Sequence, residues 1–252
     1  MMSKRVSSVK APGIKKRGAG NAARSVNRAT ERPSELVQIR RYLVNGKQSS
    51  KGEFAGQPFI VAGAGLPEEG TAYGFSQEDL FCRWAAGTRH AADFARAIGT
   101  IKLGQQLEGT DIGDRAVKRA EANQKRLQGE LEELSKETGL AMGTTEFLMQ
   151  THVPRSVLEP PLLGSTLLFD KVSGSLLNPD FSGAFFPVVL TIPTFFGFND
   201  KASGALVIGL CTLHDKTFYR GAAAFMISSP GGLRFVLSDL GFDNRAASGI
   251  AI

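Results

Sequence analysis

Eight cations and no carboxylate stand ahead of Glu31: Lys4, Arg5, Lys10, Lys15, Lys16, Arg17, Arg24 and Arg28. Such a run neutralises phosphates and releases their counterions without reading sequence. It holds no aromatic residue, so base stacking is not its mode. The chain carries a formal charge of +6 and the first thirty residues +8, so residues 31–252 sum to −2. The protein is therefore a near-neutral body with a basic arm. Three other roles compete: a solubilising tail, contact with an acidic protein or membrane surface, and an organellar transit peptide. Against the last, Pro12, Gly13, Gly18 and Gly20 interrupt any amphipathic helix.

Other chemistry-bearing groups are sparse. Cys211 and His214 form a C-x-x-H, and Cys82 with His90 is the second Cys/His grouping. A zinc site needs them to converge. On a strand, residues three apart face opposite sides, and two turns of helix separate Cys82 from His90. The expectation is core cysteines, surface or capping histidines and no metal. No G-x-S-x-G is present, and His90, His152 and His214 have no diagnostic nucleophile beside them in sequence. Phe59–Gly65 looks like a strand entering a dinucleotide turn. Glu68 stands where the third glycine belongs, and Pro67 and Glu69 bring rigidity and negative charge, so a plain turn is expected. Glu78/Asp79, Asp111/Asp114 and Asp239/Asp243 read as helix caps and turns. No catalytic residue, cofactor or small-molecule substrate is identified.

The elements that position these groups come in three stretches. Residues 1–33 offer little to bury and are expected to stay unfolded until they meet a partner. Residues 34–143 form a mixed segment with two helices. The first starts at a capping-box-like Ser76/Asp79, repeats Leu80, Phe81, Trp84, Ala85, Phe94, Ala95 and Ile98 at helical spacing, and ends at Gly99. The second spans residues 111–138, with Gly139 as its stop. Residues 144–252 turn to β texture, with strand-length runs at 144–152, 165–172, 185–192, 205–213, 217–228 and 233–240. Together they predict an α+β fold whose antiparallel β-domain is a sandwich or barrel.

The second helix carries Val117, Ala120, Gln124, Leu127, Leu131 and Leu134 at alternating spacings of three and four. Its charges run +4 over residues 115–126 and −3 over 127–138, against the helix dipole. An antiparallel copy would compensate them, so Val117, Leu127, Leu131 and Leu134 are expected at a homo-oligomer interface. The competing expectation is that the helix packs on its own β-domain. No run is long enough to span a membrane, and no apolar stretch follows the basic start as in a secretory signal. Two cysteines in apolar surroundings fit a reducing compartment.

The function these features favour is non-enzymatic: a structural or assembly protein, coat-type in plan, found in a virion or cytoplasm. Its arm would bind nucleic acid or neighbouring subunits. The alternatives are a cytosolic enzyme with a scattered site in the β-domain, and an organellar or ribosome-associated RNA-binding protein.

Overall fold

The computed structural model describes residues 35–141 and 165–252, except 176–177, 190, 196 and 229–231. The basic arm and the 144–152 run, with His152, lie outside the described residues. Residues Pro33–Ile252 belong to one compact unit. Its first part holds strands β1 (Glu35–Leu36), β2 (Arg41–Val44) and β3 (Lys47–Gln48), helix α1 (Lys51–Ala55), and strands β4 (Phe59–Gly63) and β5 (Thr71–Phe75). Helices α2 (Glu78–Ala86), α3 (Ala91–Leu107) and α4 (Asp111–Thr138) follow. The remainder is β6 (Ser165–Ser175), β7 (Asn178–Val189), β8 (Thr191–Ile192), β9 (Gly204–Ile208), β10 (Leu210–His214), β11 (Ala223–Ile227), β12 (Leu233–Val236) and β13 (Ser248–Ala251).

These strands form two sheets, ordered β1-β12-β9-β6-β7 and β3-β2-β5-β4-β11-β10-β13-β8. The fold is α+β with a β-sandwich. Most pairings are antiparallel, but β1–β12, β2–β5 and β4–β11 are parallel. Early strands thus join late strands in both sheets, so residue 143 divides sequence textures rather than sheets. Alternation along each strand explains the layering. On β4, Ile60 and Ala62 enter the core between the sheets, while Val61 enters the core under α2 and α3. On β6, Leu168 faces the inter-sheet core, and Leu167 and Phe169 face α4. The layers therefore run α2/α3, larger sheet, smaller sheet, α4.

Helix α4 has the bounds its sequence predicts. Thr110 Oγ1 accepts from the Gly113 N–H at 3.1 Å, and Gly139 closes the helix at φ 69°. Its apolar seam is filled by its own chain. Leu127 and Leu131, 5% and 1% exposed, pack with Leu167, Phe169, Phe181 and Leu206, and Leu134 lies against the same cluster. Val117 is half-buried higher on the helix. The expected oligomer seam is thus an intramolecular one, because the smaller sheet offers an apolar face of its own. The charge order needs no partner either. The dipole acts on the terminal turns, where Asp111 and Asp114 begin the helix in the favourable order, while Lys136 and Glu137 offset each other at its end. Between them, Lys125 pairs with Glu121 at 2.8 Å, four residues away.

The first expected helix is two. A turn at Gly87–His90 separates α2 from α3, and Gly99 lies inside α3, which runs on to Leu107. Ser76 is not the cap: Gln77 occupies that position without a side-chain bond, and Ser76 Oγ accepts from Asn45 Nδ2 at 2.9 Å.

Candidate functional site

Gly63 ends β4 at φ 134°, and a Cβ there would lie 1.9 Å from the Ile227 carbonyl oxygen. Glycine at this position lets β4 approach β11 closely, with the Ala64 N–H bonded to that carbonyl at 2.9 Å. No helix opens after Gly65: a turn leads into β5, as the broken fingerprint predicted. The carboxylate pairs fall at helix starts and turns. Glu78 and Asp79 occupy the first turn of α2, and Asp239 pairs with Lys51 at 2.7 Å. Among the described residues, no group of three or more His, Cys, Asp or Glu is placed to hold a metal ion, and no helix is long and apolar enough to cross a membrane.

Cys82 and Cys211 are both free thiols. Cys211 is fully buried between the sheets, and burial pushes its thiol up to about 12. Cys82, partly exposed on α2, is also raised, first by burial and then by Glu78. Neither has the depressed pKa of a reactive cysteine. His90, next to α3, makes no cap bond; its Nε2 lies 3.2 Å from the Ala64 carbonyl oxygen.

The site worth building is at His214. Instead of entering the turn, His214 ends β10, opposite Ser248 of β13 and Ala223 of β11. Cys211 points into the inter-sheet core, so Thr212 and His214 point the other way, under α3. His214 is 1% exposed, and the Thr212 hydroxyl lies 3.1 Å from its Nε2. Its Nδ1 has no hydrogen-bond partner. Burial holds the imidazole neutral by lowering its pKa to about 3.

A cavity of about 90 Å³ adjoins this ring. Its apolar walls come from Phe59, Phe81, Ile98, Ile101 and Phe225. Glu78, Lys102, Gln105 and Tyr219 contribute polar groups. Glu78 and Lys102 pair at 2.9 Å, and both are substantially exposed, which places them at the rim. The Gln105 amide donates to the Tyr219 carbonyl at 2.8 Å.

Tyr219 reaches this place through an unusual turn. Phe218 and Tyr219 have φ of 52° and 59°, a left-handed backbone that costs bulky side chains about 1–3 kcal/mol each. The surroundings hold it: Phe218 N–H donates to the Pro193 carbonyl at 2.7 Å, and Tyr219 N–H donates to Ser248 Oγ at 3.1 Å. The Tyr219 ring lies over Gly104 of α3, where a Cβ would come within 2.2 Å of it. The ring also meets His214 edge-on, with centroids 5.7 Å apart.

The volume lies well below the roughly 300–1,000 Å³ of ordinary ligand pockets. A histidine with a pKa of about 3 is a poor proton carrier near pH 7. The arrangement is not suited to moving protons. Sequence marked His214 only through its C-x-x-H spacing with Cys211 and expected it at the surface or in a cap; its burial comes from tertiary neighbours on α3, β11 and β13. Phe181, Phe195 and Phe198 are buried.

No protein-family model and no curated protein sequence matches the chain. Two solved structures are similar over part of it. A βγ-crystallin from an archaeon aligns at 19% identity, covering 35% of this chain and 98% of that one, with a TM-score of 0.29. A structure described as concerning the evolution of the eye lens βγ-crystallin domain fold aligns at 16% identity. It covers 36% and 86% of the two chains, with a TM-score of 0.30. At these scores the fold description rests on the chain's own sheets.

Proposed function

We propose that this protein is a structural or assembly protein that binds nucleic acid without reading its sequence, through the cations of residues 1–30. The observation that carries this is the partition of charge: +8 over thirty residues against −2 over the rest. A dense line of phosphates attracts such a segment through counterion release. Helix α4 adds support. Arg115, Lys118 and Arg119 are exposed at spacings that share one helix face, extending positive charge onto the body. The plan corresponds to coat-type proteins in which a β-rich body carries a cationic arm, an analogy of architecture alone. Self-association, if part of this function, uses a surface other than Leu127, Leu131 and Leu134, which are occupied within the chain.

The test is a salt titration of binding to duplex DNA and to RNA. Full engagement of eight phosphates gives a slope of log K on log salt near −7 for duplex DNA, at about −0.9 per contact. Replacing all eight arm cations by Gln in the full chain should abolish binding and leave the circular dichroism spectrum unchanged. Retained affinity in that variant overturns the proposal.

A further inference from the structure

We propose that the turn joining β10 to β11, residues 215–222, is a strained latch that opens locally in acid, because its release from α3 admits a proton to His214. This inference stands independently of the nucleic-acid proposal.

The first observation is strain at the tip. Phe218 and Tyr219 both lie in the left-handed region, at φ of 52° and 59°. Bulky side chains keep that conformation only while their surroundings impose it. Pro193, Ser248 and α3 supply the restraints. The Phe218 and Tyr219 N–H groups donate to the Pro193 carbonyl and to Ser248 Oγ, and Ser248 Oγ donates to the Lys216 carbonyl at 2.7 Å. From α3, the Gln105 amide donates to the Tyr219 carbonyl, Glu108 accepts from Arg220 Nε, and Gly104 leaves room for the Tyr219 ring.

The second observation is a hinge at the base. His214 and Ala223 pair across β10 and β11, so the loop between them can lift without breaking the sheet. Asp215 Oδ1 accepts from the Ala222 N–H at 2.8 Å, and Arg245 Nη2 donates to Asp215 Oδ2 at 2.9 Å, which pins the base. Gly221, at φ 76°, lies so close to Asp215 that a Cβ would come within 1.8 Å of Oδ1. The movable part is therefore the tip, residues 216–220.

The third observation is what the tip covers. The Tyr219 ring meets His214 edge-on, and the imidazole is sealed from solvent. The charged groups around it are mostly paired with one another: Glu78 of α2 with Lys102 of α3, Glu108 of α3 with Arg220, and Asp215 with Arg245. Lys216 is exposed, and β11 and β13 place Ala223 and Ser248 opposite His214. Burial, rather than a neighbouring charge, keeps the imidazole neutral. Lifting Tyr219 removes that burial. The open turn then binds a proton that the closed turn excludes, so acid shifts the balance towards the open turn.

The experiment is amide hydrogen exchange on the full chain between pH 8 and pH 4, read as protection factors. The Tyr219 amide should be less protected than those of β10 and β11 at every pH, the mark of a local opening. Its protection should hold above pH 6.5 and fall roughly twentyfold by pH 5. That factor follows from a proton taken up at 6.5 when the turn is open and at about 3 when it is closed. His214→Gln should abolish the fall. Gln105→Ala, which removes a restraint from α3, should lower the protection at every pH and keep the same ratio. Exchange of Tyr219 in step with β10 and β11 would mean global unfolding alone and overturn the latch. So would an equal fall in His214→Gln, or unchanged protection in Gln105→Ala. If His214→Gln does not fold, the parent curve decides: a fall beginning at about pH 6.5 supports the latch, and one confined to below about pH 5, the range of ordinary carboxylates, overturns it.

Discussion

The two helix-covered layers of the sandwich each bury a polar side chain with unpaired atoms, in different settings. Under α4, Gln124 lies 5% exposed between Ala120 and Leu127, and its Nε2 and Oε1 have no partner. It interrupts an otherwise apolar seam made largely of leucines. Under α3, His214 is flanked by Thr212, Tyr219 and a cavity, in a layer rich in aromatic rings such as Phe81, Phe94 and Phe225. The lesson is that a buried polar atom can go unpaired in a leucine seam and in an aromatic layer alike. At both Gln124 and His214 the unpaired atoms are sealed from solvent and are a local cost of packing.

The strongest test of the contrast is Leu131→Asp. A carboxylate at this 1% exposed position should cost several kcal/mol, a large share of the roughly 5–15 kcal/mol that stabilises a domain. Denaturant unfolding should show this collapse of stability. Sedimentation of the folded fraction should show no change of association, because the seam is internal. An altered oligomer with intact stability would contradict the packing under α4.

The α3 layer should respond instead to pH. His214 titrates near its ordinary value of 6.5 in the unfolded chain and at about 3 in the native state. The unfolded state therefore binds the extra proton first. This contribution to stability is present above pH 6.5 and is lost as pH falls from 6.5 towards 3. The loss approaches about 1.4 kcal/mol per pH unit, or about 2 kcal/mol by pH 5. Glu78 and Lys102 line the same cavity, so the comparison should be made against His214→Gln, which removes only the histidine's share. Equal pH dependence in parent and variant would show that His214 is not held neutral by burial.

The smallest effects separate two glycines of α3. A Cβ at Gly104 collides with the Tyr219 ring, whereas at Gly99 it meets nothing within 4 Å. Gly104→Ala should lose about 1–3 kcal/mol through overpacking against the cavity wall. Gly99→Ala should gain about 0.5–1 kcal/mol through helix propensity. Melting temperatures moving in opposite directions would sharpen the contrast between the contacted and open sides of one helix.

Much of this was legible in the chain. Helix α4 was readable because the three-four spacing and Gly139 act locally, although its Thr110 cap emerged only from the structure. The turn nature of the Gly63–Gly65 segment was equally plain from Pro67 and Glu68. The split between α2 and α3 was missed because Gly87 is a modest break within a continuing apolar period. The parallel pairings were missed because β4 and β11 lie more than 150 residues apart, and nothing in a strand's own composition names its neighbour.

The sequence by itself determined the charge partition, the α+β class and the apolar faces, since each depends on residue types and short-range periodicity. Tertiary structure alone decided what those faces meet. It turned the Leu127–Leu134 seam inward onto the smaller sheet, and it set Cys211 and His214 in separate layers. It also buried His214 beneath α3 and left its Nδ1 without a partner. The physical reason is that burial and hydrogen-bond satisfaction belong to a side chain's neighbours in space, and here those neighbours come from strands and helices far apart along the chain.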